Sequence, residues 1–111
     1  MAFVAMAAGA EAHSLTGEEL IASLAAPAAR VATGVERVAI SPANDRVLVV
    51  EVGARWYALA PEARASSATG WRAAWRHAVP GGVVAVLDAG TGAPVVRFAP
   101  GGVVAAVGAA R

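Results

Sequence analysis

The reading of this chain turns on residues 46–61, RVLVVEVGARWYALAP. Arg46–Val52 alternates, with Leu48, Val50 and Val52 on one face and Val47, Val49 and Glu51 on the other. That period of two is the pattern of a strand buried on one side. Gly53-Ala54 then makes a two-residue break. Arg55–Ala60 reads as the returning arm of a hairpin, because Trp56 and Tyr57 are good strand formers and Pro61 closes the pair. Upstream, Val35–Ile40 alternates loosely and runs into Ser41-Pro42-Ala43-Asn44-Asp45, a cluster of turn formers. Residues 35–60 therefore predict three strands in succession.

Helical patterns flank this region. Thr16-Gly17-Glu18-Glu19 has the form of a capping box, with Thr16 at the N-cap and Glu19 three positions on. Leu15 and Leu20 stand at the positions of a hydrophobic staple, and Leu20, Ile21 and Leu24 make one apolar face. Pro27 is expected to end or kink this helix near Ala25 or Ala26. A second helix is expected over 66–79, capped by Ser66, Ser67 or Thr69. Its residues Trp71, Ala74, Trp75 and Ala78 fall at i, i+3, i+4 and i+7, with Arg72 and Arg76 on an adjacent face. Pro80-Gly81-Gly82 stops it.

The last third holds a repeat: Pro80–Ala85 and Pro100–Ala105 both read PGGVVA. Two copies are too few for a solenoid, which needs at least about three stacked units. The pattern fits a meander with strands at about 82–88, 94–99 and 102–107 and a turn over Asp88–Ala93. Val83, Val84, Val86 and Leu87 are apolar on both faces, as in a central strand covered on both sides or one covered by another chain. The expected architecture is α+β: a mainly antiparallel sheet of five to six short strands, with helices at about 16–26 and 66–79 packed on it. Residues 13–111 form one domain in this reading, and the Ala-rich residues 1–12 are a flexible or lead-in segment.

The composition excludes several chemistries. The 111 residues allow one domain. The sequence has no Cys, so it offers no disulfide, thiolate nucleophile or Cys-based metal site. It has no Lys, which removes Schiff-base chemistry and a Walker lysine. A formal net charge of +1 supplies no strong field for nucleic acid or anionic membrane. No run reaches the ~18 apolar residues of a membrane span; Ile21–Val35 comes nearest and is broken by Pro27 and Arg30. Met1–Ala10 is apolar but lacks a basic leader. A soluble, cytoplasmic protein is expected, or one enclosed in a particle.

The helix residues Trp71, Arg72, Trp75, Arg76 and His77 are the most distinctive group. Trp and Arg are favoured at interaction hot spots, so this stretch is a candidate partner face. The competing arrangement packs both indoles on the sheet and leaves both guanidiniums in solvent. Aromatic and basic residues together also suit single-stranded nucleic acid. Residues 53–80 carry only Arg55, Arg64, Arg72 and Arg76 against Glu62, which is too little charge for that footprint.

Other sites are weaker. His13 lies near Glu11, Glu18 and Glu19, but the spacing matches no metal-ligand motif, so no metal is expected. Ser14, Ser23, Ser41, Ser66 and Ser67 lack a Gly-x-Ser-x-Gly setting. Gly90-Thr91-Gly92 lacks the strand–loop–helix context of a phosphate loop. No catalytic residue and no cofactor is assigned.

What stands out is a hydrophobic content of 58 % in a chain small enough to bury only about 60–70 % of its surface. The reading is a non-catalytic protein-interaction or oligomerisation module, with a protein partner or itself. Its expected partner-binding residues are Trp71, Arg72, Trp75, Arg76, Val84 and Val86, with Val83 beside them. Two alternatives belong to other classes. One is a structural subunit of a capsid-like or phage particle. The other is a small enzyme or ligand-binding domain using His77 and Asp88.

Overall fold

The structure is a computed structural model that describes residues 15–99 and the backbone of 102–106. The chain opens with helix α1, Gly17–Ala25, whose start is the expected capping box. The Glu19 amide donates to Thr16 Oγ1 at 3.1 Å, and the Thr16 amide donates to Glu19 Oε1 at 2.9 Å. Leu20 and Leu24 are the buried residues of α1. Pro27 ends α1 and also begins a second helix, α2, Pro27–Thr33. Proline suits the first helical position, where its missing N–H costs nothing. Gly34 closes α2 in the left-handed region at φ 81°, its amide donating to Arg30 O at 2.9 Å.

Strand β1, Val35–Ile40, pairs antiparallel with β2, Val47–Val52, with Val38 opposite Val50, Ile40 opposite Leu48, and a bulge between Val35 and Arg37. The next segment departs from the sequence reading. Arg55–Ala60 is not a returning strand: Ala54–Ala58 forms a short helix, α3, and Pro61–Ala78 forms the long helix α4. Trp56 supplies the physical reason. It is fully buried, while Leu59, three positions on, is half-buried against the same core. That is helical spacing, and the β preference of Trp and Tyr yields to it because such preference expresses packing more than backbone. Pro61 opens α4 at its first turn and closes no hairpin. The helix therefore begins five residues before the expected 66.

The crossover of residues 53–82 lets β3, Val83–Asp88, lie parallel to β2, with Leu48 opposite Val84 and Val50 opposite Val86. Parallel pairing requires such a long connection. The sheet thus has three strands in the order β1-β2-β3, one pair antiparallel and one parallel. It is not a mainly antiparallel sheet of five to six strands, although the broad α+β class holds. Beyond β3, Pro94 makes a bridge to Leu87, and β4, Val96–Ala99, pairs with β5, Gly102–Ala106, in a separate two-stranded sheet. The Val-Val-Ala of each repeat copy lies in a strand, β3 and β5. The proposed lead-in at 1–12 lies outside the described residues.

The core rests on one face of the sheet. Val35, Leu48, Val50, Val52, Val84 and Val86 meet Leu20 and Leu24 of α1, Trp56 of α3, and Ala68, Trp71 and Trp75 of α4. The rings of Trp56 and Trp71 stack with centroids 5.6 Å apart. Among the described residues no helix is long and apolar enough to cross a membrane.

One residue of α4 contributes nothing to this packing. Gly70 is exposed, and a Cβ built on it meets nothing within 4 Å. Gly70→Ala is expected to stabilise the fold by roughly 0.5–1 kcal/mol, through helix propensity and a less flexible unfolded chain. Urea denaturation measures this directly, and a destabilised variant would contradict the open environment at Gly70.

Candidate functional site

Four of the six residues expected at a partner face lie inside the chain's own core. Trp71, Trp75, Val84 and Val86 are at most 6 % exposed. The i, i+4 spacing of the indoles turns both onto the sheet, where the Trp75 indole N–H donates to Arg46 O at 2.8 Å. The guanidiniums occupy the neighbouring face of α4. Arg72 is half-buried, donates from Nη1 to Ala99 O at 3.2 Å and lies 5.4 Å from the centroid of Phe98. Arg76 is exposed. The indoles and Arg76 follow the competing arrangement weighed from the sequence, whereas Arg72 departs from it, being partly covered and bonded to Ala99 O.

His77 and Asp88 are not brought together by the fold. His77 sits near the end of α4, beside the entry to β3, whereas Asp88 is the last residue of β3. The strand between them spans about 16 Å at about 3.3 Å per residue. Asp88 is buried, and its carboxylate accepts from Tyr57 Oη at 2.6 Å, the Gly90 amide at 3.0 Å, the Thr91 amide at 2.9 Å and Thr91 Oγ1 at 3.1 Å. It fixes the turn after β3 and ties that turn to α3. Gly90-Thr91-Gly92 is accordingly a turn organised by Asp88, with the Gly92 amide donating to Asp88 O at 2.7 Å.

Sequence reasoning missed a buried arginine. Arg64 is 6 % exposed, and its Nη1 donates to Tyr57 O at 3.2 Å and Leu59 O at 3.0 Å. These carbonyls end α3, where a cation is favoured by the exposed C=O groups. The i, i+4, i+7, i+11 series Arg64, Ala68, Trp71, Trp75 carries the only signal: it places Arg64 on the buried face of α4.

The opposite face of the sheet is uncovered by the core. By the pairing register it presents Ala39 of β1, Val47 and Val49 of β2, and Val83, Ala85 and Leu87 of β3. None of these belongs to the core or to the residues packed against it. Val83 is 53 % exposed. At one end of this face Arg37 and Glu51, cross-strand neighbours, form an ion pair at 3.6 Å. Such an exposed pair contributes little to stability.

Two clefts among the described residues stand apart from this face. One, of about 490 Å³, lies where α2, the start of β1 and α3 meet, with Arg30, Val31, Glu36 and Arg55 on its walls. The other, of about 260 Å³, lies between α4, the start of β3 and Phe98. Among the described residues no group of three or more His, Asp or Glu is placed to hold a metal ion. His13 lies outside them.

Fold and surfaces together define a small α+β domain built on a ββαβ unit with one sheet face covered by helices. No protein-family model matches the chain, and no curated protein or solved structure matches it.

Proposed function

We propose that the chain is a non-catalytic association module that pairs with a second copy of itself through the open face of its sheet. The observation that carries this reading is the apolar character of that face. Ala39, Val47, Val49, Val83, Ala85 and Leu87 share this face outside the chain's own core, with Ala39 and Val83 exposed and the other four half-buried. Apolar surface left in water favours burial at about 25 cal/mol per Å².

Size and charge favour a second copy. Three strands about 4.8 Å apart and six residues long at about 3.3 Å per residue present roughly 250–300 Å². A standard interface takes about 800 Å² from each partner, so this face supports a reversible, concentration-dependent association more than an obligate dimer. The Arg37–Glu51 pair supplies one charge of each sign, so a two-fold axis passing beside it sets each guanidinium against the other copy's carboxylate.

Sedimentation velocity over a range of concentrations tests the reading. The weight-average mass of the native chain is expected to rise with concentration toward that of a dimer. Ala39→Glu and Val49→Glu, which place a charge on the face without entering the core, are expected to hold the chain monomeric. A native chain that stays monomeric up to about 1 mM, the limit of a weak association, overturns the proposal. Association that survives both substitutions overturns it equally.

A further inference from the structure

The arginines of α4 lie outside the open sheet face, and their surroundings set them apart from ordinary solvated charges. Arg72 and Arg76 stand one helical turn apart and both line the cleft of about 260 Å³, whose remaining walls include Gly81, Gly82, Val83 and Phe98. They also flank a shallower hollow on the other side, lined by Thr69 and Ala73. Among the described residues no acidic side chain lines either depression. The only carboxylate of α4 is Glu62, ten residues before Arg72 and so about 15 Å away along the helix axis. A third guanidinium, that of Arg46 in the β1–β2 connection, lies beside Gly81 but is not one of the cleft's walls. Arg46 donates from Nη1 to Pro80 O at 3.2 Å, and a Cβ on Gly81 would stand 2.9 Å from that nitrogen. None of the three arginines is ion-paired among the described residues.

Like charges one turn apart on a helix repel each other, an arrangement that costs stability unless an anion is shared between them. Arg72 is also pre-positioned. One of its five N–H groups is committed to Ala99 O, and the Phe98 ring lies within cation–π range of the guanidinium. The other N–H groups of Arg72, and all those of Arg76, have no protein acceptor among the described residues.

We infer that this cleft binds a phosphate monoester carried on a small apolar or aromatic body. A dianion matches the pair of guanidiniums on the cleft wall, whose planar forks suit phosphate oxygens. Val83, Val84 and Phe98 supply apolar wall for the body of the ligand. The volume lies just below the range of about 300–1,000 Å³ typical of small-molecule sites, which selects a compact ligand. A nucleic-acid strand fits less well. Strand binding relies on successive exposed aromatic platforms, and Trp71 and Trp75 are both buried in the core.

The test is an NMR shift titration of the full chain at low salt with phenyl phosphate, inorganic phosphate, benzoate and a thymidine octanucleotide. Saturable shifts are expected at Arg72, Arg76, Gly81 and Gly82, with phenyl phosphate the tightest of the four. Arg76→Ala, which breaks no hydrogen bond among the described residues, is expected to weaken phenyl phosphate about tenfold. Arg55→Ala, at a position exposed on α3 and outside this cleft, is expected to leave it unchanged. Arg72→Lys keeps the charge but loses the planar fork and is expected to weaken binding while the fold persists. The inference fails if phenyl phosphate gives no saturable shifts up to about 10 mM, a bound for even weak recognition. It fails equally if Arg76→Ala binds as well as the native chain, if benzoate or inorganic phosphate binds as tightly, or if the octanucleotide binds more tightly at these residues.

Discussion

Trp75→Ala is expected to remove about 4 kcal/mol of folding stability, the range of large aromatic truncations in cores. Trp75 is 1 % exposed and touches the fold on three sides. Its ring edge limits Gly17 at the start of α1, where a Cβ would lie 3.2 Å from Cζ3. Its pyrrole side limits Gly82, where a Cβ would lie 2.6 Å from Cδ1. Its N–H holds Arg46 O at the entry to β2. Truncation therefore opens a cavity among α1, α4 and the sheet and also removes a donor. With total stability of about 5–15 kcal/mol for a domain, this loss brings the chain near its unfolding threshold. Thermal melting followed by circular dichroism is expected to show a fall of roughly 15–25 °C. Trp75→Phe retains most of the volume and is expected to cost about half as much or less, because it loses mainly the hydrogen bond. A fall of only a few degrees for Trp75→Ala would contradict the central place of this ring.

Gly34→Ala is the second large effect. Gly34 has φ 81°, and a Cβ there would overlap the Trp56 backbone nitrogen and stand 2.6 Å from the Trp56 Cα. The left-handed conformation alone costs a non-glycine residue about 1–2 kcal/mol. The larger part is steric. Backbone atoms cannot rotate aside, so β1 and α3 must separate, and the bond from the Gly53 amide to Gly34 O at 3.0 Å stretches with them. A loss of about 3 kcal/mol or more is expected, from strain in a packed interior. Gly92→Ala is the matched control. Its φ is 78°, but a Cβ there meets nothing within 4 Å, so only the conformational cost of about 1–2 kcal/mol applies. Equal losses in the two variants, measured by denaturant titration, would show that crowding at Gly34 is relieved cheaply.

The parts of the fold visible in the sequence are those set by local chemistry. The capping box announces α1, alternation announces β1 and β2, and the spacing of Trp71 and Trp75 identifies the buried face of α4. Residues 55–60 went astray because their side-chain preferences and their tertiary placement disagree. Trp56 and Tyr57 favour strands locally, yet Trp56 gains more by stacking on Trp71, fifteen residues away. Once α3 is read as a strand, three consequences are hidden together. The parallel pairing of β2 with β3 becomes invisible, Tyr57 loses its link to Asp88, and Arg64 reads as a solvated charge. The apolar character of β3 on both sides was legible, and the structure assigns its two sides to different surroundings: one to the core, the other to the open face.

The parallel alignment of β2 and β3 also shapes the order in which the chain acquires its structure. The β1–β2 hairpin closes across residues 41–46 alone, a local event on a timescale of about 1–10 μs. β3 reaches β2 only after residues 53–82 have been drawn into a compact crossover, and the entropy of closing that loop is spent before any of its ladder bonds form. Until then Leu48, Val50 and Val52 lack the strand that completes their covered face. Trp56 and Trp71 belong to the crossover itself, so their fluorescence reports its compaction. The slow step of folding is thus carried by its own spectroscopic probe, and stopped-flow refolding reads it without an added label.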